Sequence, residues 1–241
     1  MAKAELKVML LRATPDPDEI VALGARLCYA QADIESLKNR VEAADQAAFV
    51  SRVMERGHLS VTEHASFTFA VEGVSRALLA QLTRHRIASF SVQSQRYVSM
   101  ADGFDYVIPP AITALGEEEE AEFIREMEQM HAWYCRWQEK LGKKGESSNE
   151  DARFVLPNAA STRLLVTMNA RELMHFFSLR CCNRAQWEIR EMAWKMLAEC
   201  RKAAPALFNH AGPACLSGPC PEGKSTCGQA KAVKERHQAM E

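Results

Sequence analysis

The sequence has almost no net charge and no long apolar run. Its 30 basic and 31 acidic residues leave a net charge of -1 over 241 residues, which argues against a generic nucleic-acid-binding protein. No apolar stretch approaches the length needed to cross a bilayer, and the first residues lack the apolar core of a signal peptide. We therefore expect a cytoplasmic protein, with most of its eight cysteines present as buried free thiols.

Acidic residues and lysine are also missing from one long stretch. No Asp, Glu or Lys occurs between Gly73 and Ala101, yet this stretch contains four arginines: Arg76, Arg84, Arg86 and Arg96. Arginine suits the oxygens of phosphates and carboxylates because its guanidinium group is planar, forked and always charged. Two interpretations remain open, namely an anion-binding site and a basic patch balanced by acids from elsewhere in the fold.

The hydrophobic pattern predicts alternating helices and strands, and the length of 241 residues fits one large domain as well as two. Leu6–Leu11 and Ser161–Met168 read as strands, and Phe67, Phe69 and Val71 alternate with polar or small residues as in a half-buried strand. A helix is expected after Asp16 or Asp18 as its cap, and a second one at about residues 45–56.

Further along the chain, Ser75 is expected to cap a short helix that ends near Thr83. The chain should then turn extended, with Ser94 and Arg96 on one face of a strand-like segment. The longest helix is predicted at about residues 115–141, with an apolar side that forms core or a subunit interface. Its members are Met127, Met130, Trp133, Tyr134 and Trp137. Shorter helices should begin near Glu150 and Asn169.

Other motifs give weaker signals. His58 and His64 could bind a metal, but no nearby Cys or Asp completes a zinc set. Gly218–Ser225 matches the letters of a Walker A loop, yet its two prolines remove backbone donors and no strand precedes it. Cys215, Cys220 and Cys227 lack a paired C-x-x-C spacing, so we predict no metal site.

The stretch around Arg84 carries a specific signature. Arg84-His85-Arg86, seven residues and then Ser94 resemble the signature of the flavin-dependent thymidylate synthases, followed here by the usual Ser-x-Arg-Tyr. A second match begins at Asn169-x-Arg171, and the resemblance covers roughly residues 18–208. It implies an α+β fold, a single domain with a central, mostly antiparallel sheet flanked by helices. We assign residues 1–210 to this domain and residues 211–241 to a cysteine-containing tail.

The resemblance also implies an activity. Members of this family methylate dUMP to dTMP, with methylenetetrahydrofolate as carbon donor and NADPH as the hydride source through FAD. They are homotetramers with active sites shared between chains. The runner-up interpretation is a non-enzymatic module that binds nucleotide or nucleic-acid phosphates. A helix-turn-helix alternative is weakened because the residues after Arg86 are rich in strand formers.

The family pattern assigns roles to individual positions. Arg180 is implied as the catalytic residue, which stabilises uracil ionised at N3. The implied dUMP-binding residues are Gln81, Arg84, Ser94, Gln95, Arg96, Arg153 and Arg180. The implied FAD-binding residues are Cys28, His58, Ser60, Arg84, His85, Arg86, Val92, Asn169, Arg171 and His175. No cysteine sits beside a basic partner in the sequence, so a covalent enzyme nucleophile is not supported.

Three positions depart from the family pattern. Val92 stands where many members have Glu, so only a backbone contact carries over to it. His175 replaces an Asn found in some members, and the cysteine-rich tail lies outside the pattern.

Overall fold

Four strands form one open antiparallel sheet in the order β1-β2-β4-β3. In the computed structural model, which describes residues 1–240, the strands are β1 (Lys7–Ala13), β2 (Ser66–Ser75), β3 (Ala88–Val92) and β4 (Ser161–Asn169). In β2 the expected alternation is confirmed, because Phe67, Phe69 and Val71 are buried. The predicted α+β class with a mostly antiparallel sheet and helices is likewise confirmed.

Helices make up most of the remaining chain. They are α1 (Pro17–Leu27), α2 (Ile34–Glu42), α3 (Gln46–Glu55), α4 (Arg76–Leu82), α5 (Pro110–Thr113), α6 (Glu117–Lys140), α7 (Glu146–Ala152), α8 (Ala170–Arg180), α9 (Trp187–Ala203), α10 (Pro205–Phe208) and α11 (Ala230–Gln238). Short 3-10 helices cover Leu59–His64, Arg153–Val155, Ala214–Leu216 and Gly223–Ser225. Among residues 1–240, no helix combines the length and the apolar character that crossing a membrane requires.

Within this fold the chain forms two compact units. The first contains Met1–Lys7, Val71–Arg84 and Phe90–Leu165. The second contains Val8–Ala70, His85–Ser89 and the described chain from Val166 onwards.

Side-chain caps set the starts of several helices. The side chains of Asp33, Asp45, Ser75 and Asn169 each accept a hydrogen bond from the backbone N–H three residues later, as N-cap residues do. Asp16 occupies the N-cap position of α1, one of the two expected, with φ of 44°, but its side chain makes no capping hydrogen bond. Asp18 lies inside the helix, where burial raises the pKa of its carboxyl group.

Helix α2 was not predicted from the sequence. It is short and buries only Leu37 and Val41, so its apolar period covers little more than one turn. Helix α7 begins at Glu146, four residues before the predicted start near Glu150. Residues 146–149 are all polar, so no apolar periodicity marks this first turn as helical.

The first unit has its core between α6 and the segment before α5. Met127 and Tyr134 of α6 are buried against Phe104, Tyr106 and Ile108. Trp133 and Trp137 are 40% and 41% exposed, so the predicted apolar side of α6 is only partly core in the single chain.

The second unit has an aromatic core. The ring of Phe208 lies edge-on to Phe67 and Phe177, with centroid distances of 5.2 and 6.1 Å. Such edge-to-face pairs stabilise a core beyond the area that they bury.

The tail folds back onto this same unit. Arg236 of α11 donates two hydrogen bonds to Glu191 of α9, at 2.8 and 2.7 Å, and its guanidinium group lies 4.8 Å from the centroid of the Trp194 ring. Val233 is buried. Helix α11 therefore covers part of α9.

The cysteines differ from the expectation of mostly buried thiols. All eight are free, but only Cys181 and Cys200 are buried, and burial raises the pKa of both thiols well above the usual value. Cys28 is exposed.

Candidate functional site

The signature serine and arginine lie in a turn that follows β3. Strand β3 ends at Val92, and the Ser94 side chain then accepts a hydrogen bond from the Arg96 backbone N–H at 3.1 Å. The Ser94 carbonyl accepts one from Val98 N–H, also at 3.1 Å. The predicted extended face for Ser94 and Arg96 is therefore wrong, because serine offers the backbone a local turn in place of a strand ladder.

Arg76 stabilises this turn through hydrogen bonds to the two residues on either side of Ser94. Its guanidinium group donates to the Gln93 carbonyl at 3.2 Å and to Gln95 Oε1 at 3.0 Å. Burial, and then the positive charge of Arg153, lower the pKa of Arg76. Arg76 is thus a structural support that donates to neutral acceptors, and the Nε2 group of Gln95 can donate to a ligand.

Arg96 meets two carboxylates from α7. Its Nη2 lies 2.6 Å from Glu146 Oε1 and its Nε lies 2.8 Å from Glu150 Oε2. The side chain of Arg153 donates to the Glu150 carbonyl at 3.1 Å. For Arg96 the interpretation of acids supplied from elsewhere in the fold is therefore correct. These side chains are well exposed, and exposed ion pairs contribute only about 0–1 kcal/mol, so an incoming phosphate can compete for Arg96.

A buried polar network fixes the position of the turn. Asn149 Nδ2 donates to the Arg96 carbonyl at 2.8 Å, and Asn149 Oδ1 accepts from the Tyr134 hydroxyl at 3.2 Å. Gln138 donates to the same Asn149 oxygen and, at 2.8 Å, to the Tyr134 hydroxyl. Sequence reasoning missed this network, because Ser147-Ser148-Asn149 reads as a polar connection and hydrogen bonds between distant residues leave no local pattern.

A second cluster joins His85 to α8. His85 Nδ1 lies 2.8 Å from Glu172 Oε1, and Arg180 Nε donates to His85 Nε2 at 3.1 Å. His85 is 5% exposed and Glu172 is 8% exposed. The Phe176 ring packs edge-on against the His85 imidazole, with 4.9 Å between the two ring centroids.

This geometry decides the protonation of His85. Because Arg180 has no acceptor to offer, His85 Nε2 must accept, and the proton then sits on Nδ1 and is donated to Glu172. Burial lowers the pKa of His85, against the opposing hydrogen bond to Glu172. Both ring nitrogens are thus engaged inside the chain. The His85 side chain therefore orients Arg180 in the free chain, and the implied contact of His85 with FAD stays a prediction.

The neighbouring signature residues have different surroundings. Arg84 and Arg86 are exposed on either side of buried His85. Gln81 lies in α4, and Val92 is the last residue of β3. In α8, Asn169 Oδ1 accepts the capping N–H of Glu172 at 2.9 Å and exposed Arg171 pairs with Glu63. The His175 ring centroid lies 6.0 Å from that of His85.

The remaining predicted flavin residues share one cavity. Cys28, His58 and Ser60 line a cavity of about 580 Å³, together with residues of α1, α2 and α3. The structure therefore brings together residues that lie 30 positions apart in the chain. In the described part of the chain, no group of three or more His, Cys, Asp and Glu side chains is placed to hold a metal ion.

One cysteine does have a basic neighbour. Cys135 Sγ lies 3.4 Å from His131 Nε2, one helical turn earlier in α6. The i, i+4 spacing was visible in the sequence and was overlooked. Burial raises the pKa of Cys135, which disfavours the reactive thiolate.

Comparison with known proteins agrees with these features. A sequence model of the family described as "Thymidylate synthase complementing protein" matches residues 9–206. A flavin-dependent thymidylate synthase from Geobacter sulfurreducens is 52% identical over 98% of this chain and 99% of its own length. One from Clostridium tetani is 46% identical over 95% of this chain and 96% of its own. The chain belongs to the flavin-dependent thymidylate synthase family.

A solved structure supports the same assignment. A UMP/dUMP methylase from Streptomyces cacaoi, crystallised with 5-Br dUMP, superposes with a TM-score of 0.68 at 25% identity. The match covers 86% of this chain and 94% of that one. As a member of the flavin-dependent thymidylate synthase family, the chain is an enzyme of the methyltransferase class.

Proposed function

We propose that this enzyme methylates dUMP to dTMP, with FAD as its cofactor, methylenetetrahydrofolate as carbon donor and NADPH as hydride source. The observation that carries the proposal is Arg180, held by buried His85 next to the family signature. Relatives at up to 52% identity are named for this activity.

Arg180 supplies the electrostatic step. A guanidinium group directed at the uracil ring would stabilise the ring ionised at N3 and make C5 more nucleophilic, without an enzyme thiol. Because His85 accepts from Arg180 Nε, this hydrogen bond orients the guanidinium group. Neutral His85 also adds no positive charge that would compete with Arg180 for the anion.

The dUMP site is proposed around the turn after β3. Arg96 and Arg153 meet at Glu150 and would hold the phosphate, with Ser94 and the Gln95 amide toward the pyrimidine. Gln81 and Arg84, at and after the end of α4, would complete it.

The residues fit a flavin dinucleotide. FAD would be held at the cavity by Cys28, His58 and Ser60, where Arg26 Nε is buried without a hydrogen-bond partner. The other proposed contacts are Arg84, His85, Arg86, Asn169, Arg171, His175 and the backbone of Val92. When bound, FAD supplies the redox chemistry that accepts a hydride and passes it on.

Assembly as a homotetramer with shared sites is part of the proposal. Two large side chains beside the dUMP residues are strongly exposed in the single chain, Tyr97 at 69% and Phe154 at 82%. A neighbouring chain that covers them would also complete the site. The eight free cysteines fit a reducing compartment such as the cytoplasm.

An anaerobic assay tests the proposed function. Purified protein should show flavin absorbance, and its dithionite-reduced form should convert dUMP to dTMP with the folate alone. Arg180→Ala should lose turnover far more than flavin content, because its partner is the uracil. Full flavin reoxidation without dTMP, or a colourless protein that still makes dTMP, would overturn the proposal.

A further inference from the structure

The cavity that contains His58 has an unusual charge. Four arginines line it: Arg26 in α1, Arg40 in α2, Arg52 in α3, and Arg56 directly after the end of α3. No Asp or Glu is among the residues that line it. Surfaces that are not built for a ligand usually mix both signs, so this one favours binding of an anion.

These arginines also lack the partners that other arginines of the chain have. Arg96, Arg171 and Arg236 each pair with a glutamate. Within residues 1–240, none of the four cavity arginines forms an ion pair. Arg26 stacks on the Phe49 ring at 4.2 Å, and its buried Nε has no hydrogen-bond acceptor.

Exposure separates the four arginines into two kinds. Arg26 is half-buried beside the residues proposed for FAD, whereas Arg40, Arg52 and Arg56 are exposed at the rim. Tyr29, also at the cavity, is 86% exposed and offers a face on which a base can stack. Exposed side chains suit a ligand that enters and leaves in each turnover, so the rim is better matched to a co-substrate than to a resident cofactor.

Charge selects between the two co-substrates. NADPH must bring its nicotinamide to the flavin, so its phosphates must bind within one molecule's length of the flavin site. Beyond its diphosphate it carries a 2′-phosphate of about 1.5–2 negative charges, a group that arginine accommodates in other dinucleotide sites. The glutamate tail of the folate offers only its carboxylates, which carry fewer charges than the diphosphate and the 2′-phosphate of NADPH together and lack the phosphate oxygens that a guanidinium group binds in a forked geometry.

We propose that the exposed arginines Arg40, Arg52 and Arg56 bind the 2′-phosphate of NADPH at the rim of this cavity and so select NADPH over NADH. The inference rests on the proposed function, since it names where one of its co-substrates binds. The Arg26 side of the cavity remains the FAD side.

Binding of the oxidised nucleotides gives a direct test. In the flavin-loaded enzyme, isothermal titration should show tighter binding of NADP⁺ than of NAD⁺. In Arg52→Gln and Arg40→Gln, the dissociation constant for NADP⁺ should rise about 10- to 100-fold, as expected for the loss of a charge-assisted hydrogen bond. The value for NAD⁺ should stay within about twofold, because it lacks the 2′-phosphate.

A kinetic arm and a control complete the experiment. The KM for NADPH in anaerobic flavin reduction should rise with the dissociation constant, while the KM for NADH should not. Arg125→Gln, which removes an exposed arginine of α6, should behave like the wild type in both arms. Thermal unfolding of each variant checks that it is folded.

Other outcomes overturn the inference and identify the true ligand. Loss of bound flavin would assign the rim arginines to FAD, and a raised KM for the folate alone would assign them to its carboxylates. An equal loss of NADP⁺ and NAD⁺ binding, or none, would remove the 2′-phosphate assignment. Failure of the proposed function is seen separately, because dithionite-reduced wild-type enzyme makes dTMP without any nicotinamide nucleotide.

Discussion

Arginines of the signature region differ in what their guanidinium groups bind. Arg76 donates to neutral acceptors, Arg96 pairs with two carboxylates, and Arg180 donates to a neutral imidazole. The two carboxylates offset the positive charge of Arg96, whereas the amide oxygens that meet Arg76 and the imidazole that meets Arg180 carry no negative charge. These different acceptors support the different roles proposed for Arg96, at the dUMP phosphate, and for Arg180, at the uracil ring.

His85 should make stability depend on pH. The folded chain lowers the pKa of His85, so below about pH 6.5 the unfolded chain takes up a proton that the folded chain does not. As the pH is lowered through this window, the free energy of unfolding should decrease by up to about 1.4 kcal/mol per pH unit, until His85 of the folded chain is itself protonated. Urea unfolding of wild type and His85→Gln between pH 7.5 and 5 measures this.

The variant His85→Gln also controls for the titration of the other histidines, six of the seven in the chain. His85→Gln should be less stable at neutral pH but lose less stability on acidification. Glu172, Arg180 and His175 face the imidazole, and only the first favours its protonation. An identical pH dependence in both proteins would mean that His85 does not titrate between the two states.

At the scale of one element, α7 connects the core of the first unit to the turn that follows β3. Its exposed side presents Glu146 and Glu150 to Arg96, while its buried side carries Asn149 in the network with Tyr134. A helix of seven residues thereby links a buried network to the residues proposed for dUMP.

Asn149→Ala should weaken both stability and dUMP binding. It leaves the Tyr134 hydroxyl, the Gln138 amide and the Arg96 carbonyl without their partner, which should cost about 2–4 kcal/mol of unfolding free energy. The KM for dUMP should rise because the turn is no longer anchored. Ser147→Ala, an exposed position on the same helix, should change neither quantity. A destabilised Asn149→Ala enzyme with an unchanged KM for dUMP would separate the network from the site.

Helix α11 offers a second test at this scale. A chain ended after His210 should keep wild-type turnover per flavin at low temperature, because every proposed site residue precedes that point. It loses the burial of Val233 and the Arg236–Glu191 pair, worth about 2–3 kcal/mol together. Its thermal midpoint should therefore drop by roughly 4–12 °C. Abolished turnover in a folded, flavin-loaded truncation would give the tail a direct role in the site.

At the scale of the whole molecule, the proposed assembly explains the exposed apolar side chains. Tyr97 and Phe154 follow Arg96 and Arg153 directly in the chain, so a neighbour that covers them also reaches the dUMP residues. Ligands often bind where packed units meet.

Mixing two inactive variants tests a shared site. Arg96→Ala and Arg180→Ala should each be inactive alone. If Arg96 and Arg180 of one site come from different chains, subunit exchange would create some sites with both lesions and others with neither. Part of the activity should then return, up to about one quarter of the sites at equal mixing by random assortment. Verified exchange with no recovered dTMP formation would show that both arginines come from the same chain.

Much of the fold and the family was determined by the sequence alone, because those signals are local. The alternation in β2, the Ser75 cap and the spacing of Arg84-His85-Arg86 to Ser94 depend only on neighbouring residues. They do not require knowledge of which distant segments meet.

The tertiary structure decided which partner each signature residue has. His85 meets Glu172 and Arg180 across 87 and 95 positions, and Arg96 meets Glu146 across 50. The cavity that contains His58 is lined by residues of α1, α2 and α3. Helix α2 was not predicted from the sequence, because its apolar pattern is too short. Charge, protonation and hydrogen bonding depend on distances of a few ångströms between such segments, and no periodicity along the chain records those distances.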